Sequence, residues 1–407
     1  MARARRGFLV RRAGLLLLAV WLAAGCATGP ASRAPAGSKR PPGSSPGSAT
    51  SAVPGGGAAE PLRIRDLLQV RFVDALRGWA VAGSMILRTA DGGASWWDVT
   101  PAGAGAGVTG WDGAFLDASH AWVVSQPRDP GRPVVLYRTE DGGRSWTASP
   151  LGMAGFAQVR FVDRRTGWIL LHQGAGAGSE AVTLLLSRDG GASWQEVVGA
   201  HPGATGGPGL SVFAGIKSGA AFADARHAWL TGVWAGRGIL LYRTADGGQS
   251  WSRQPLPVPA GLSADGGAAT SYPPLFASGG RGVLPVLFEN RLLVLYATED
   301  GGATWAPSTP VRLAASAEGP PQFHLIDARE AVVTDGTTLY RTDDGGRTWS
   351  AVHPDRSLAG VQQLDFVDPS TGWALLPDPQ EGAGATLLLR TRDGGRTWQP
   401  AAPPAQG

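Results

Sequence analysis

The sequence predicts an all-β chain folded as a seven-bladed β-propeller with four antiparallel strands per blade. Three observations carry that prediction. The pattern [Ser/Thr]-x-Asp-Gly-Gly-x-[Ser/Thr]-Trp occurs seven times without a substitution at its specified positions, at intervals of 44 to 57 residues. Each interval parses into four short strands, and the chain's 61 glycines and 31 prolines punctuate the apolar runs between turns. Four-stranded units of that size cannot bury both sheet faces alone, so seven of them must stack and close into a ring.

Taken in order, the chain begins with an address. Residues 1–25 join a basic segment, MARARRGFLVRR, to AGLLLLAVWLAAG, an apolar stretch too short to span a bilayer comfortably. LAAGC follows at Leu22–Cys26 and resembles a bacterial lipoprotein signal, in which the cysteine is lipidated and becomes the new amino terminus. The resemblance implies Cys26 as the lipidation site, a membrane contact through that lipid, and an extracytoplasmic protein anchored to the cell membrane. Because Cys26 is the only cysteine, no disulfide can form within the chain, and packing must hold the fold. Residues 26–60, nearly all Ala, Gly, Pro and Ser with no apolar period, read as a flexible tether, leaving 61–407 as the propeller. Arg3, Arg5, Arg6, Arg11 and Arg12 account for the formal net charge of +4, so overall charge argues against nucleic acid as a partner.

The first unit illustrates the repeat. Strand A is LQVRFVD, strand B GWAVAG, strand C SMILRT and strand D SWWDVT. A second motif, Phe-Val-Asp-x-x-x-Gly-Trp, spans the A–B hairpin at Val70–Val81 and returns at Val159–Leu170 and Leu364–Leu375. Looser versions occupy Ala114–Val124, Ala221–Thr231 and His324–Thr334, while the fifth unit, LFASGGRGVLPV at Leu275–Val286, lacks the aspartate and the tryptophan. Strand C is almost continuously apolar in most copies, as expected of a strand covered on both faces.

The Asp-Gly-Gly turn invites a catalytic reading, but its residue types suit architecture. Asp91, Asp141, Asp189, Asp246, Asp300, Asp344 and Asp393 can each accept hydrogen bonds from amides of their own turn, and the two glycines supply positive φ. Trp96, Trp146, Trp194, Trp251, Trp305, Trp349 and Trp398 open strand D, where each can bury roughly 150–250 Å² between blades. Copies spread around a ring cannot converge on one substrate. The motif is similar to the Asp-box, or bacterial neuraminidase repeat, over residues from about 67 to 400. Paired with the Phe-Val-Asp hairpin, it resembles the photosystem II assembly and stability factor family. That resemblance implies a seven-bladed propeller that binds partner proteins without catalysing a reaction.

Chain direction alternates from strand to strand, so the A–B and C–D turns lie on one face and the B–C and D–A connections on the other. The connections of this second face are long and individual, and variable loops on a rigid scaffold are where specificity resides. Trp111, Arg128, Arg132, Lys217, Trp234, Arg237 and Tyr272 are the candidates there for contact with a partner. Arg88, Arg138, Arg243, Arg341 and Arg390, each three before a box aspartate, read as solvated or paired side chains, or as the arginine-lined surface that the resemblance implies.

The competing reading is a glycosidase, since sialidases and some endoglucanases use Asp-box propellers. Such chemistry needs two opposed carboxylates, or an arginine triad with a Tyr–Glu nucleophile pair. Four of the five tyrosines belong to strand C, and Asp129, Glu180, Asp378 and Glu381 lie on different loops. The sequence therefore points to a non-catalytic scaffold for a protein at the cell envelope, with a glycan as the second class of ligand. No zinc spacing, phosphate loop or paired histidines point to a metal or cofactor.

Overall fold

A computed structural model describes residues 49–52, 66–176, 178–199, 214–236, 238–314, 321–378, 380–381 and 384–402. The leader and Cys26 lie outside them. Among the described residues, regular structure is β apart from two 3-10 turns, Asp265–Gly267 and Ser278–Gly280, and no helix is long and apolar enough to cross a membrane.

Strand β1 (Ala49–Ala52) lies within the stretch expected to be a tether. Unit 1 comprises β2 (Leu67–Phe72), β3 (Gly78–Ala82), β4 (Met85–Thr89) and β5 (Trp97–Asp98). Unit 2 comprises β6 (Val108–Phe115), β7 (Ala121–Pro127), β8 (Val135–Thr139) and β9 (Ser145–Pro150), and unit 3 β10 (Phe156–Phe161), β11 (Gly167–Gly176), β12 (Ser179–Ser187) and β13 (Gln195–Val198). Unit 4 runs through β14 (Ile216–Phe222), β15 (Ala228–Val233), β16 (Leu240–Thr244) and β17 (Ser252–Arg253), and an extra strand, β18 (Ala269–Ser271), follows it. Unit 5 has β19 (Leu275–Phe276), β20 (Gly282–Phe288), β21 (Leu292–Thr298), β22 (Ala306–Pro307) and β23 (Val311–Arg312). Unit 6 has β24 (Gln322–Leu325), β25 (Ala331–Thr334), β26 (Leu339–Thr342) and β27 (Ser350–Val352); unit 7 has β28 (Gln363–Phe366), β29 (Gly372–Pro377), β30 (Thr386–Thr391) and β31 (Gln399–Pro400).

Units 1, 3, 6 and 7 each form a four-stranded antiparallel sheet in chain order, and unit 2 gains β1 as a fifth strand on β9. Units 4 and 5 do not separate. Strand β18 pairs with β15 on one side and β20 on the other, which fuses them into one ten-stranded sheet. The expectation of an all-β propeller is met; that of seven separate four-stranded blades is corrected to five free-standing sheets and a fused one. The cause is local. The D–A connection expected to be a loop at 257–274 folds back, and Ser271 locks it by accepting from the Gly232 amide and donating to the Leu240 carbonyl.

Packing explains why the repeats must stack. Seven apolar clusters each draw buried residues from two consecutive units, such as Trp79, Ile86 and Trp146 between units 1 and 2, or Trp229, Phe288 and Trp305 between units 4 and 5. The last joins unit 7 to unit 1. Phe72 stacks on Trp373 with centroids 3.5 Å apart, and the Trp373 indole donates to the Gly92 carbonyl at 3.0 Å. Among the described residues each of these two units builds its sheet from its own four strands, with no terminal strand exchanged between them.

First strands of neighbouring units are joined by side chains that satisfy backbone donors. Asp365 accepts from the Phe72 amide at 2.5 Å and from Arg71 Nη1 at 2.8 Å, and Gln363 pairs with both backbone groups of Val70. Asp112 does the same for Val159 and Arg160. An unpaired buried backbone donor is costly, so these residues take the place of the ladder that the inner strands lack there.

All seven Asp-boxes share one set of bonds. In each, the leading hydroxyl donates to the aspartate and accepts from the second glycine's amide, while the trailing Ser or Thr offers both its amide and its hydroxyl to the carboxylate. Both glycines have positive φ in every copy, from 68° to 93°, which a side chain would oppose. The first glycine's amide also donates to a carbonyl of its own unit's A–B turn, so the two motif turns touch on one face. In the A–B turn the Phe-Val-Asp aspartate accepts from the amides two and three residues on, as Asp74 does from Leu76 and Arg77.

These bonds set an acid limit on stability. Ser250 and Thr304 hydroxyls hold Asp246 and Asp300 down to about 2; at Asp344 and Asp393 burial acts in the opposite sense but is outweighed by bonds from Thr348 and Thr397, again giving about 2. Carboxylates with lowered folded-state pKa contribute fully above their ordinary value of 3.8 and lose that contribution as pH falls through about 2. The thermal midpoint followed by circular dichroism should be flat from pH 7 to about 5 and fall steadily below about pH 4.

The repeated arginines also serve the joints. Arg88 and Arg341 donate to the Gly142 and Gly394 carbonyls of the following box at 2.9 and 2.8 Å, and Arg390 reaches the Ala75 carbonyl of unit 1 at 2.7 Å. Arg88, Arg243 and Arg390 lie over Trp79, Trp229 and Trp373, with Cζ 4.9 to 5.9 Å from the ring centroids. They are therefore neither freely solvated nor an open arginine surface.

Candidate functional site

With both motif turns on one face, the B–C and D–A connections form the other, and three groups of side chains gather there. The first is a cleft of about 70 Å³ at unit 2, between Gly103–Val108 and Arg132 of the B–C connection, with Val135 and Tyr137 of β8. Arg128 and Arg132 are exposed, and neither guanidinium has a side-chain partner among the described residues. Gly107 is required here: its φ is +79°, and a Cβ would fall 2.9 Å from Arg132 Nη1 at the cleft mouth. Trp111 is not a surface residue. It is buried in β6, donates to the Ser84 carbonyl at 2.9 Å and meets Tyr137, which lines the cleft, edge to face at 5.6 Å.

The second group is a buried polar network that sequence reasoning missed. His172 Nδ1 lies 2.7 Å from Glu180 Oε1, and Glu180 Oε2 accepts from the Lys217 amide at 2.6 Å. Lys217 Nζ donates to the Ala214 and Gly215 carbonyls at 3.0 and 3.1 Å. Lys217, expected to contact a partner, is only 2% exposed, because β14 carries it inward beside Glu180, itself 4% exposed. Burial pushes the Lys217 ammonium down to about 8 against the opposing pull of the Glu180 carboxylate. The stretch His172–Ala181, expected to be a loop, instead extends the β11–β12 hairpin past a bulge, pairing Ala175 with Glu180.

The third group is aromatic. Trp234 is half-buried against the cluster between units 3 and 4, and Arg253 Cζ lies 4.2 Å from its ring centroid. Tyr272 stands edge to face with Phe323 at 4.8 Å, and burial raises its hydroxyl to about 12. Arg237 lies outside the described residues.

The acids weighed for glycoside chemistry are spread through these surroundings. Glu180 is held in the buried network, Asp129 accepts from the Gly131 amide, and Asp378 accepts from the Gln380 amide. Glu381 is exposed on the unit 7 loop. Among the described residues no group of three or more His, Cys, Asp or Glu side chains is placed to hold a metal.

No family model matches the chain, and no curated protein matches its sequence. Solved structures similar to it include YCF48 bound to a D1 peptide, with TM-score 0.50 and 16% identity, covering 84% of this chain and 96% of that one. YCF48 from Cyanidioschyzon merolae matches with TM-score 0.52 and 18% identity over 85% and 98%. A GH74 xyloglucanase from Xanthomonas campestris matches with TM-score 0.54 and 16% identity over 84% of this chain, but the match spans only 55% of the enzyme. At these identities the likeness is one of fold, shared by binding proteins and enzymes.

Proposed function

We propose that this chain is a non-catalytic propeller that binds an acidic protein segment at the unit 2 cleft. The observation that carries the reading is Arg132, exposed at a cleft that Tyr137 also lines, with Arg128 exposed on the same connection just past the lining residue Pro127, neither guanidinium having an acidic side-chain partner among the described residues. Charge-assisted bonds from guanidinium to carboxylate favour Asp- or Glu-bearing peptide. The shared fold of YCF48 bound to a D1 peptide supports a peptide ligand for such a scaffold. Lipidation of Cys26 would hold the head outside the cytoplasm at the cell membrane, a reading that rests on the Leu22–Cys26 motif alone.

A peptide array drawn from envelope proteins tests it. Bound peptides should be enriched in Asp and Glu, and the double substitution Arg128→Glu with Arg132→Glu should weaken binding at least tenfold with little change in thermal midpoint. Hydrolysis of aryl-glycosides or sialosides by the parent protein, lost in Asp129→Asn, Asp378→Asn or Glu381→Gln, would instead establish a glycosidase.

A further inference from the structure

Strand β9 differs from every other outer strand. It is six residues long, where β5, β13, β17, β22, β27 and β31 have two to four. Most of those carry a charged residue or a proline, as in Trp97–Asp98, Ser252–Arg253 and Ala306–Pro307. Strand β9 reads SWTASP, with no charge and its single proline in the last position. Exposed sheet edges are normally blunted by shortness, charge or proline, because a row of free N–H and C=O groups recruits another strand. Unit 2 has none of these protections along most of its edge.

The edge is filled, and by this chain. Ala49, Thr50, Ser51 and Ala52 of β1 pair antiparallel with Ala148, Thr147, Trp146 and Ser145. That register brings the chain into β1 at the Ala148 end of β9 and out at the Asp-box end. The segment has only small residues, ATSA, and residues 53–65, 13 in number, separate it from Asp66, where the described ring begins.

We propose that the outer edge of unit 2 is a strand-addition site for an extended segment of small, uncharged residues, kept filled in the resting protein by Ala49–Ala52. Affinity at such an edge comes from main-chain hydrogen bonds, and small side chains are selected because they do not clash with the neighbouring sheet surface. An incoming partner strand must displace β1, and displacement frees the segment that leads to the amino terminus. The surface is separate from the Arg128–Arg132 cleft, so either can fail without the other.

Hydrogen exchange on the full chain decides the matter. In Ser51→Pro, which removes a ladder donor from β1 opposite Trp146, the β9 amides that face β1 should exchange at least tenfold faster than in the parent, with β6 to β8 unchanged. Millimolar synthetic peptide with the sequence of residues 46–55 should restore their protection, and the same peptide carrying proline in place of Ser51 should not. Unchanged β9 exchange in Ser51→Pro would overturn the cis strand; faster exchange that the peptide fails to restore would overturn the strand-addition site.

Discussion

Trp146→Ala should destabilise the propeller by about 3–5 kcal/mol, the range for removing a large buried aromatic. Its side chain is 1% exposed, donates to the Val99 carbonyl of the preceding unit at 2.7 Å and meets Trp79 edge to face at 6.5 Å. The substitution therefore empties one joint and leaves a partner carbonyl unpaired. With unfolding entropy of about 2 cal/mol/K per residue, the thermal midpoint should fall by roughly 4–7 °C. Trp349 holds the same place in unit 6 but is only half-buried at the edge of its cluster. Trp349→Ala should cost less than half as much. Equal midpoints for the two variants would mean that the box tryptophans do not anchor the joints through burial.

Asp365→Ala should open the ring where unit 7 meets unit 1. The carboxylate is 1% exposed and serves the Phe72 amide and Arg71 together, with His324 Nδ1 3.8 Å away. Removing it strands a buried backbone donor, while Arg71, 46% exposed, stays hydrated, so the loss should be about 1–3 kcal/mol. Asp112→Ala, at a partly exposed counterpart between units 2 and 3, should cost less. Hydrogen exchange locates the effect: β2 and β28 amides should speed up most in Asp365→Ala, and uniform acceleration around the ring would argue against a local closure.

These effects follow from features that were legible to different degrees. The Asp-Gly-Gly turns were readable because their chemistry is local: positive φ at two glycines and a carboxylate facing its own amides require only eight residues. The alternation of faces followed from counting strands, and Arg128, Arg132, Trp234 and Tyr272 sit on the connections where that counting put them. Trp111 and Lys217 were misjudged because each lies within a strand, β6 or β14, that carries its side chain into the packed interior rather than on an exposed connection. The His172–Glu180–Lys217 network is assembled across 8 and 37 residues with no fixed spacing, and only the folded sheet brings it together. Strand β18 was hidden for the same reason. Ala269–Ser271 has little strand character of its own, and its conformation is imposed by two neighbours whose edges it satisfies.

That small strand gives the molecule an uneven mechanics. Units 4 and 5 are tied by a strand that both sheets share, through the Val233–Thr270 pair on one side and the β18–β20 ladder on the other, a tie stiffer than joints held mainly by side chains. Strain from a ligand pulling on the rim, or from heat, will be relieved away from the plate spanning units 4 and 5. The seam between the first and last repeats, pinned by Asp365 and the Phe72–Trp373 stack, is among the places left to yield.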